Sequence, residues 1–138
     1  MQNVLIDTDV ILDFFFDRKP FSEDTAAILS LCENKKLNGF VTPVIFSNMY
    51  YLLRQTAKHN KVIEKFKQLL QIINVLQMDR EVVCNALNSD FKDFEDALQN
   101  FAAVSNGTID VILTKNVKDF KMSSIGVLTP DTFLKVIK

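Results

Sequence analysis

The residues able to do chemistry in this sequence are mostly carboxylates and carboxamides: Asp7, Asp93, Asp96 and Asp119, with Asn48 and Asn116. Most follow an apolar stretch or open an expected helix, and Asn48 sits within an apolar helical segment about a turn and a half after Thr42-Pro43. Oxygen donors of this kind suit a hard divalent cation, Mg²⁺ or Mn²⁺, and not zinc. Such a cation lowers the pKa of water and offsets the charge of a phosphodiester during cleavage, so no nucleophilic side chain is needed. The chain agrees by omission, with no G-x-S-x-G, Walker A or G-x-G-x-x-G pattern. His59 is the only histidine, which leaves Ser-His-Asp and Cys-His arrangements without support.

Asp7 is the most informative of these residues. It ends the uninterrupted apolar run Val4-Leu5-Ile6. A strand apolar on both faces belongs inside a parallel sheet covered by helices. Its C-terminal end opens on the sheet edge where α/β proteins bind ligands, and a carboxylate there requires a cation or hydrogen bonds. The other polar residues also have plainer readings. Asp9 reads as an N-cap. Asp93 and Asp96 favour a helix dipole by roughly 0.3–1 kcal/mol each. Asn48 could be a hydrogen-bonded core residue, and Asp119 a turn residue. Phe14-Phe15-Phe16 reads as core and edge packing, and His59 as a solvent-facing residue at a helix end. Spacing alone does not decide between the chemical and the structural readings.

The elements that must position these residues alternate along the chain. A strand is expected over 3–6, then a short helix over 10–16 capped by Asp9. Pro20 breaks the chain, and Ser22 is placed to cap a second helix that runs to about residue 36. A short strand over 39–42 leads into Thr42-Pro43, a cap followed by proline at the first helical position. Another amphipathic helix covers about 60–72, a strand about 74–77, and Asp79 caps the next helix. Asp93 or a neighbour opens a helix that Gly107 ends. Strands within 110–114 and over 126–128 follow, and Thr129-Pro130 caps a closing helix. This order means an α/β fold with a parallel sheet and helices on both faces.

Composition sets the bounds. A chain of 138 residues with 48% hydrophobic and 24% charged residues fits a single folded domain with a real core. Only 3 Gly and 3 Pro leave no room for linkers or low-complexity segments. A net charge of -1 excludes a global basic field that would coat nucleic acid, so any such contact must rest on local patches. Cys32 and Cys84 match no metal-ligand spacing. No signal-peptide pattern and no run long enough to span a bilayer are present, so a cytoplasmic protein with reduced thiols and no membrane partner is expected.

In this order and at these intervals, three segments resemble the PIN domain, the fold of metal-dependent nucleases and of VapC toxins of toxin–antitoxin pairs. Leu5-Ile6-Asp7-Thr8-Asp9-Val10 is similar to the family's opening D-[ST]-[ND] pattern. Glu95-Asp96-Ala97-Leu98, followed by Ala102 and Ala103, resembles the segment carrying its third acid. Val111 to Phe120 resembles its closing strand and T-x-[ND]-x-x-[DE]-F turn. The resemblance covers essentially the whole chain.

The resemblance implies a three-layer α/β/α fold with about five parallel strands, forming one domain over residues 1–138. It implies an acidic pocket for Mg²⁺ or Mn²⁺ and cleavage of single-stranded or structured RNA by a metal-activated water. Asp7 would be the central catalytic ligand, with Asp96 and Asp119 completing the site. Thr8 and Thr114 would orient these carboxylates, with Asp93 and Asn116 in support. Substrate contacts would come from local positive charge, Arg54 and Lys58 after Asn48, and Lys115, Lys118 and Lys121 around the Asn116–Asp119 turn, which would hold RNA phosphates or else form a solvated surface. An antitoxin partner and a homodimer are implied in the same way. The resemblance departs at Asn48, which stands where the family carries Glu. An amide can ligate Mg²⁺ but brings no charge, so the site implied by the resemblance is one charge short. The alternative is a catalytically degenerate PIN domain that binds RNA or protein. A phosphatase of the response-regulator type, with Lys115 as partner to a phosphorylated Asp, fits the helix-rich middle of the chain poorly.

Overall fold

The computed structural model describes residues 1–137. Five parallel strands form one sheet, in the order β3-β2-β1-β4-β5. They are β1 (Asn3–Ile6), β2 (Asn38–Val41), β3 (Asn74–Val75), β4 (Val111–Leu113) and β5 (Gly126–Leu128). Among the described residues seven helices connect and flank them: α1 (Thr8–Phe15), α2 (Phe21–Glu33), α3 (Pro43–Leu53), α4 (His59–Leu70), α5 (Arg80–Leu87), α6 (Phe94–Asn106) and α7 (Pro130–Val136). A short 3-10 turn covers Val117–Phe120. The expected α/β class and parallel sheet are present.

The central strand follows from its composition. Val4, Leu5 and Ile6 of β1 are fully buried, so neither face of the strand meets water. Burial of each Leu or Ile contributes about 1.5–3 kcal/mol. β1 pairs on one side with β2 and on the other with β4, with Ile6 opposite Leu113. The chain builds outward through β2 and β3, then returns across β1 to lay down β4 and β5. The reversal places a topological switch point between the C-terminal ends of β1 and β4, where open α/β sheets form their ligand crevice. Asp7 follows one of these strands and Thr114 the other. The Asp7 N–H donates to the Leu113 carbonyl at 2.9 Å, carrying the ladder one residue past β1.

Several helix boundaries follow the caps read from sequence. Thr42 accepts from the Ile45 N–H at the start of α3, Asp79 from Val82 at the start of α5, and Thr129 from Thr132 at the start of α7. Gly107 ends α6 with φ +81°, a conformation that glycine adopts without strain. Gly39 has a different reason to be glycine: a Cβ there would stand 2.8 Å from Cys32 Sγ, so its absence lets α2 lie close on β2. Thr25, buried in α2, donates to the Val10 carbonyl at 2.9 Å and ties α2 to α1.

Three expectations need correction. Asp9 does not cap the first helix. Asp7 does, in extended conformation, with Oδ1 accepting the Thr8 N–H, so the helix begins two residues earlier than expected and Asp9 lies in its first turn. Ser22 does not cap α2. Pro20 holds that position, and the Ser22 hydroxyl donates back to Asp17 at 2.9 Å. The third strand is only Asn74–Val75, although the Leu76 N–H still bonds the Val41 carbonyl.

Candidate active site

A cavity of about 440 Å³ opens at the switch point. Asp7, Thr8 and Asp9 reach it from the end of β1 and the start of α1, Ser47 and Asn48 from α3, and Asp93, Glu95, Asp96 and Gln99 from α6 and its cap. Asn116 and Asp119 reach it from the turn after β4. Six of these side chains are carboxylates, and no Lys, Arg or His lines the cavity among the described residues.

Asp7 is the fixed point of this cavity. It is 8% exposed, and both carboxylate oxygens are engaged. Oδ1 accepts the Thr8 N–H at 2.8 Å, and Oδ2 accepts the hydroxyl of fully buried Thr114 at 2.9 Å. Burial pushes the Asp7 carboxyl above its ordinary pKa, against the pull of the Thr114 and Thr8 bonds; Asp9 adds to the rise, and the Gln99 amide opposes it. The Thr114 hydroxyl also accepts the Asn116 N–H at 3.1 Å. One hydroxyl therefore couples Asp7 to the turn that carries Asp119.

α6 delivers the second group of acids. Asp93 is its N-cap and accepts the Asp96 N–H at 3.0 Å, so it has the structural role that the dipole reading allowed while also lining the cavity. The Asp96 carboxyl is pushed up to about 7, first by burial and then by the charges of Asp7, Asp93, Asp119 and Glu95. This is the response of a carboxyl taken out of water first, and then surrounded by like charge. A divalent cation would invert that balance.

The donor set fits such a cation. All donors are oxygens, the charge is in excess, and two cavity residues hold buried oxygens without partners, Thr8 Oγ1 and Gln99 Oε1. Among the described residues no three His, Cys, Asp or Glu side chains are grouped so that they could hold a metal ion by themselves; Mg²⁺ keeps several waters and takes only one or two carboxylates directly.

The residues picked out from sequence separate into two groups. Asp7, Asp96, Asp119, Asn48, Thr8, Asp93 and Asn116 all line the cavity, and Thr114 bonds Asp7 from behind it. The expected phosphate-binding residues do not line it. Arg54 is exposed just past α3 and donates to the Ala57 carbonyl at 3.0 Å. Lys118 is exposed in the 3-10 turn. Lys115 turns to the other side, with Nζ 3.0 Å from buried Asp13 and 4.2 Å from the Phe21 ring centroid. Its ammonium is committed to an internal ion pair, which removes it as a free phosphate contact.

Glu95, Gln99 and Asp9 were not among the expected site residues. Gln99 follows Asp96 by three residues and so shares its helix face, a spacing signal that was there to be read. Glu95 gave no such signal. Its contact is with Asn48, whose Nδ2 donates to Glu95 Oε2 at 2.9 Å across 47 residues of sequence.

Comparison with known proteins decides the family. The PIN domain profile matches residues 3–118. The chain belongs to the PIN domain family. This PIN domain is 25% identical over 137 residues to Ribonuclease VapC1 of Aquifex aeolicus (strain VF5), covering 96% of this chain and 93% of that protein. Its fold is similar to a chain of VapBC2 from Rickettsia felis, solved bound to a promoter DNA fragment, with TM-score 0.69 and 11% identity over 93% of this chain and 98% of that one. It is also similar to a chain of a toxin–antitoxin complex from Klebsiella pneumoniae, with TM-score 0.67 and 18% identity over 92% of this chain and 97% of that one.

Proposed function

We propose that this PIN domain is a metal-dependent endoribonuclease that cuts single-stranded or structured RNA and is the toxin of a toxin–antitoxin pair. The observation that carries the reading is Asp7. It is a buried carboxylate at the switch point, held by Thr8 and Thr114, and it faces Asp96 and Asp119 in a cavity with no cationic side chain among the described residues. The name of the Aquifex aeolicus relative supports the ribonuclease, and the Klebsiella pneumoniae complex supports an antitoxin partner.

Asp7, Asp96 and Asp119 would hold Mg²⁺ or Mn²⁺, with the Asn48 amide beside them. When bound, the cation supplies a Lewis acid that acidifies water and offsets charge on the phosphodiester. The protein's own part is positioning. Thr8 and Thr114 fix the Asp7 carboxylate, and Thr114 also fixes the Asn116–Asp119 turn. Asp93 fixes the first turn of α6 and hence Asp96. Gln99, whose side-chain oxygen is buried without a partner, would help order the wall of the cavity beside Asp96. Arg54 and Lys118 are exposed outside the cavity and would contact the RNA backbone beyond the scissile bond. A homodimer acting in the cytoplasm completes the reading, and no helix among the described residues is long and apolar enough to cross a membrane.

The test is cleavage of a labelled RNA by purified protein with Mn²⁺ or Mg²⁺. The reading predicts cleavage that EDTA stops and that Asp7→Asn and Asp96→Asn each abolish with the fold intact. Undiminished cleavage by both variants would sink it. Asn48 favours a second reading, a PIN domain that binds RNA or protein without cutting. That reading predicts no cleavage with any divalent metal, and binding that survives Asp7→Asn.

A further inference from the structure

The Asn48–Glu95 contact bears directly on the charge missing at position 48. Asn48 lies on α3 and Glu95 on α6, and both line the cavity. The amide nitrogen donates to the Glu95 carboxylate at 2.9 Å. A glutamate at position 48 would set a second carboxylate against the first, with no donor between them. An amide is therefore the side chain that lets α6 present an acid here. The bond also restrains Glu95, an exposed side chain that would otherwise spread over many rotamers, and a bond to an ionised acceptor is among the stronger kind. Glu95 forms no ion pair among the described residues, so its charge remains available to the cavity. One turn further along α6, Gln99 lines the same cavity, and its side-chain oxygen is buried without a hydrogen-bond partner.

We infer that Glu95 is a working acid of this PIN site, directing negative charge from α6 toward a divalent cation on the side of the cavity where α3 carries the neutral Asn48. The inference rests on the metal-dependent reading above and deepens it: the charge stands on α6, and Asn48 is the residue that holds it in place. A hydrated Mg²⁺ responds to such a charge even where the carboxylate is not a direct ligand, because partners of ligands and bound water change metal affinity by about 10–100-fold.

The test is Mn²⁺ binding by the full chain without RNA, followed by calorimetry and by the Mn²⁺ electron paramagnetic resonance signal. Glu95→Gln should weaken binding by about tenfold or more, with an unchanged thermal melt of the metal-free protein. Adding Asn48→Glu to Glu95→Gln reverses the arrangement, an amide on α6 facing an acid on α3. That double variant should recover binding to within about threefold of wild type. Glu95→Gln binding Mn²⁺ as tightly as wild type overturns the inference, and so does a double variant no better than Glu95→Gln. Wild type that binds no Mn²⁺ overturns the metal-dependent reading itself, which keeps the two failures distinct.

Discussion

Helix α1 carries a buried carboxylate near each end, and the two have opposite environments. Asp13, 1% exposed, is matched by two cations, Lys115 at 3.0 Å and Arg18 at 3.3 Å. Asp7, 8% exposed, has only neutral hydrogen-bond donors, and its neighbours across the cavity are further acids. The first arrangement satisfies a charge and closes the structure over it. The second leaves a charge unsatisfied and open to a cavity. Burial of an acid therefore does not mark a functional site. What marks it is burial without a counter-charge from the protein.

The most severe way to probe this contrast is Asp7→Asn. The substitution keeps the shape and removes the charge, so Mn²⁺-dependent RNA cleavage should fall by about 1,000-fold or more. Because burial already disfavours the Asp7 charge, the metal-free variant should melt at or above the wild-type temperature. Asp13→Asn is the mirror experiment. It strands Lys115 and Arg18 and should cost about 2–3 kcal/mol in chemical denaturation, less than a fully dry pair because both cations keep some solvent. Its Mn²⁺ affinity should stay close to wild type, and a variant that loses metal but keeps its stability would break the comparison.

Thr114→Val tests whether the Asp7 side of the site is positioned by its one hydroxyl. Cleavage and Mn²⁺ affinity should drop by about 10-fold, as expected on loss of a ligand's hydrogen-bond partner. The pH dependence is a smaller and more graded effect. Asp96 titrates near 7 in the folded metal-free protein, against an ordinary value of 3.8. The native state holds this proton more tightly than the unfolded chain does. Its contribution to stability is fully present below the unfolded value and is lost as pH rises through about 7. The metal-free protein should therefore melt higher at pH 5 than at pH 8 as far as this group decides it. Mn²⁺ must displace the same proton, so its affinity should rise by up to about tenfold per pH unit below 7 and level off above it. A flat Mn²⁺ affinity between pH 5 and 8 would show that Asp96 is outside the metal's reach.

Much of this site was legible in the sequence because its anchor depends on local pattern. An apolar strand that ends in an acid can place that acid only at the sheet edge, and the order of strands then brings Thr114 to it. Caps at Thr42, Asp79, Asp93 and Thr129 were legible for the same reason, since each bonds a residue three positions on. The cap at Asp9 was misread because Asp7-Thr8-Asp9 offers two carboxylates two residues apart, and the one at the strand end took the role. Long-range pairs left no comparable trace. Lys115 reaches Asp13 across 102 residues, and Asn48 reaches Glu95 across 47. Each involves an unremarkable polar residue whose neighbours in sequence say nothing about its partner in space. Lys115 consequently looked like a phosphate contact, and Glu95 drew no role of its own beside Asp96.

The central claim is that an acid left without a protein counter-charge awaits a cation, whereas one already paired does not. Anomalous diffraction from crystals of the protein soaked in Mn²⁺ tests it most directly. The account predicts a Mn²⁺ peak among Asp7, Asp96 and Asp119, on the side of Asn48 and Glu95, and none beside Asp13. A cavity that shows no peak at high Mn²⁺, with the crystals otherwise intact, would contradict it.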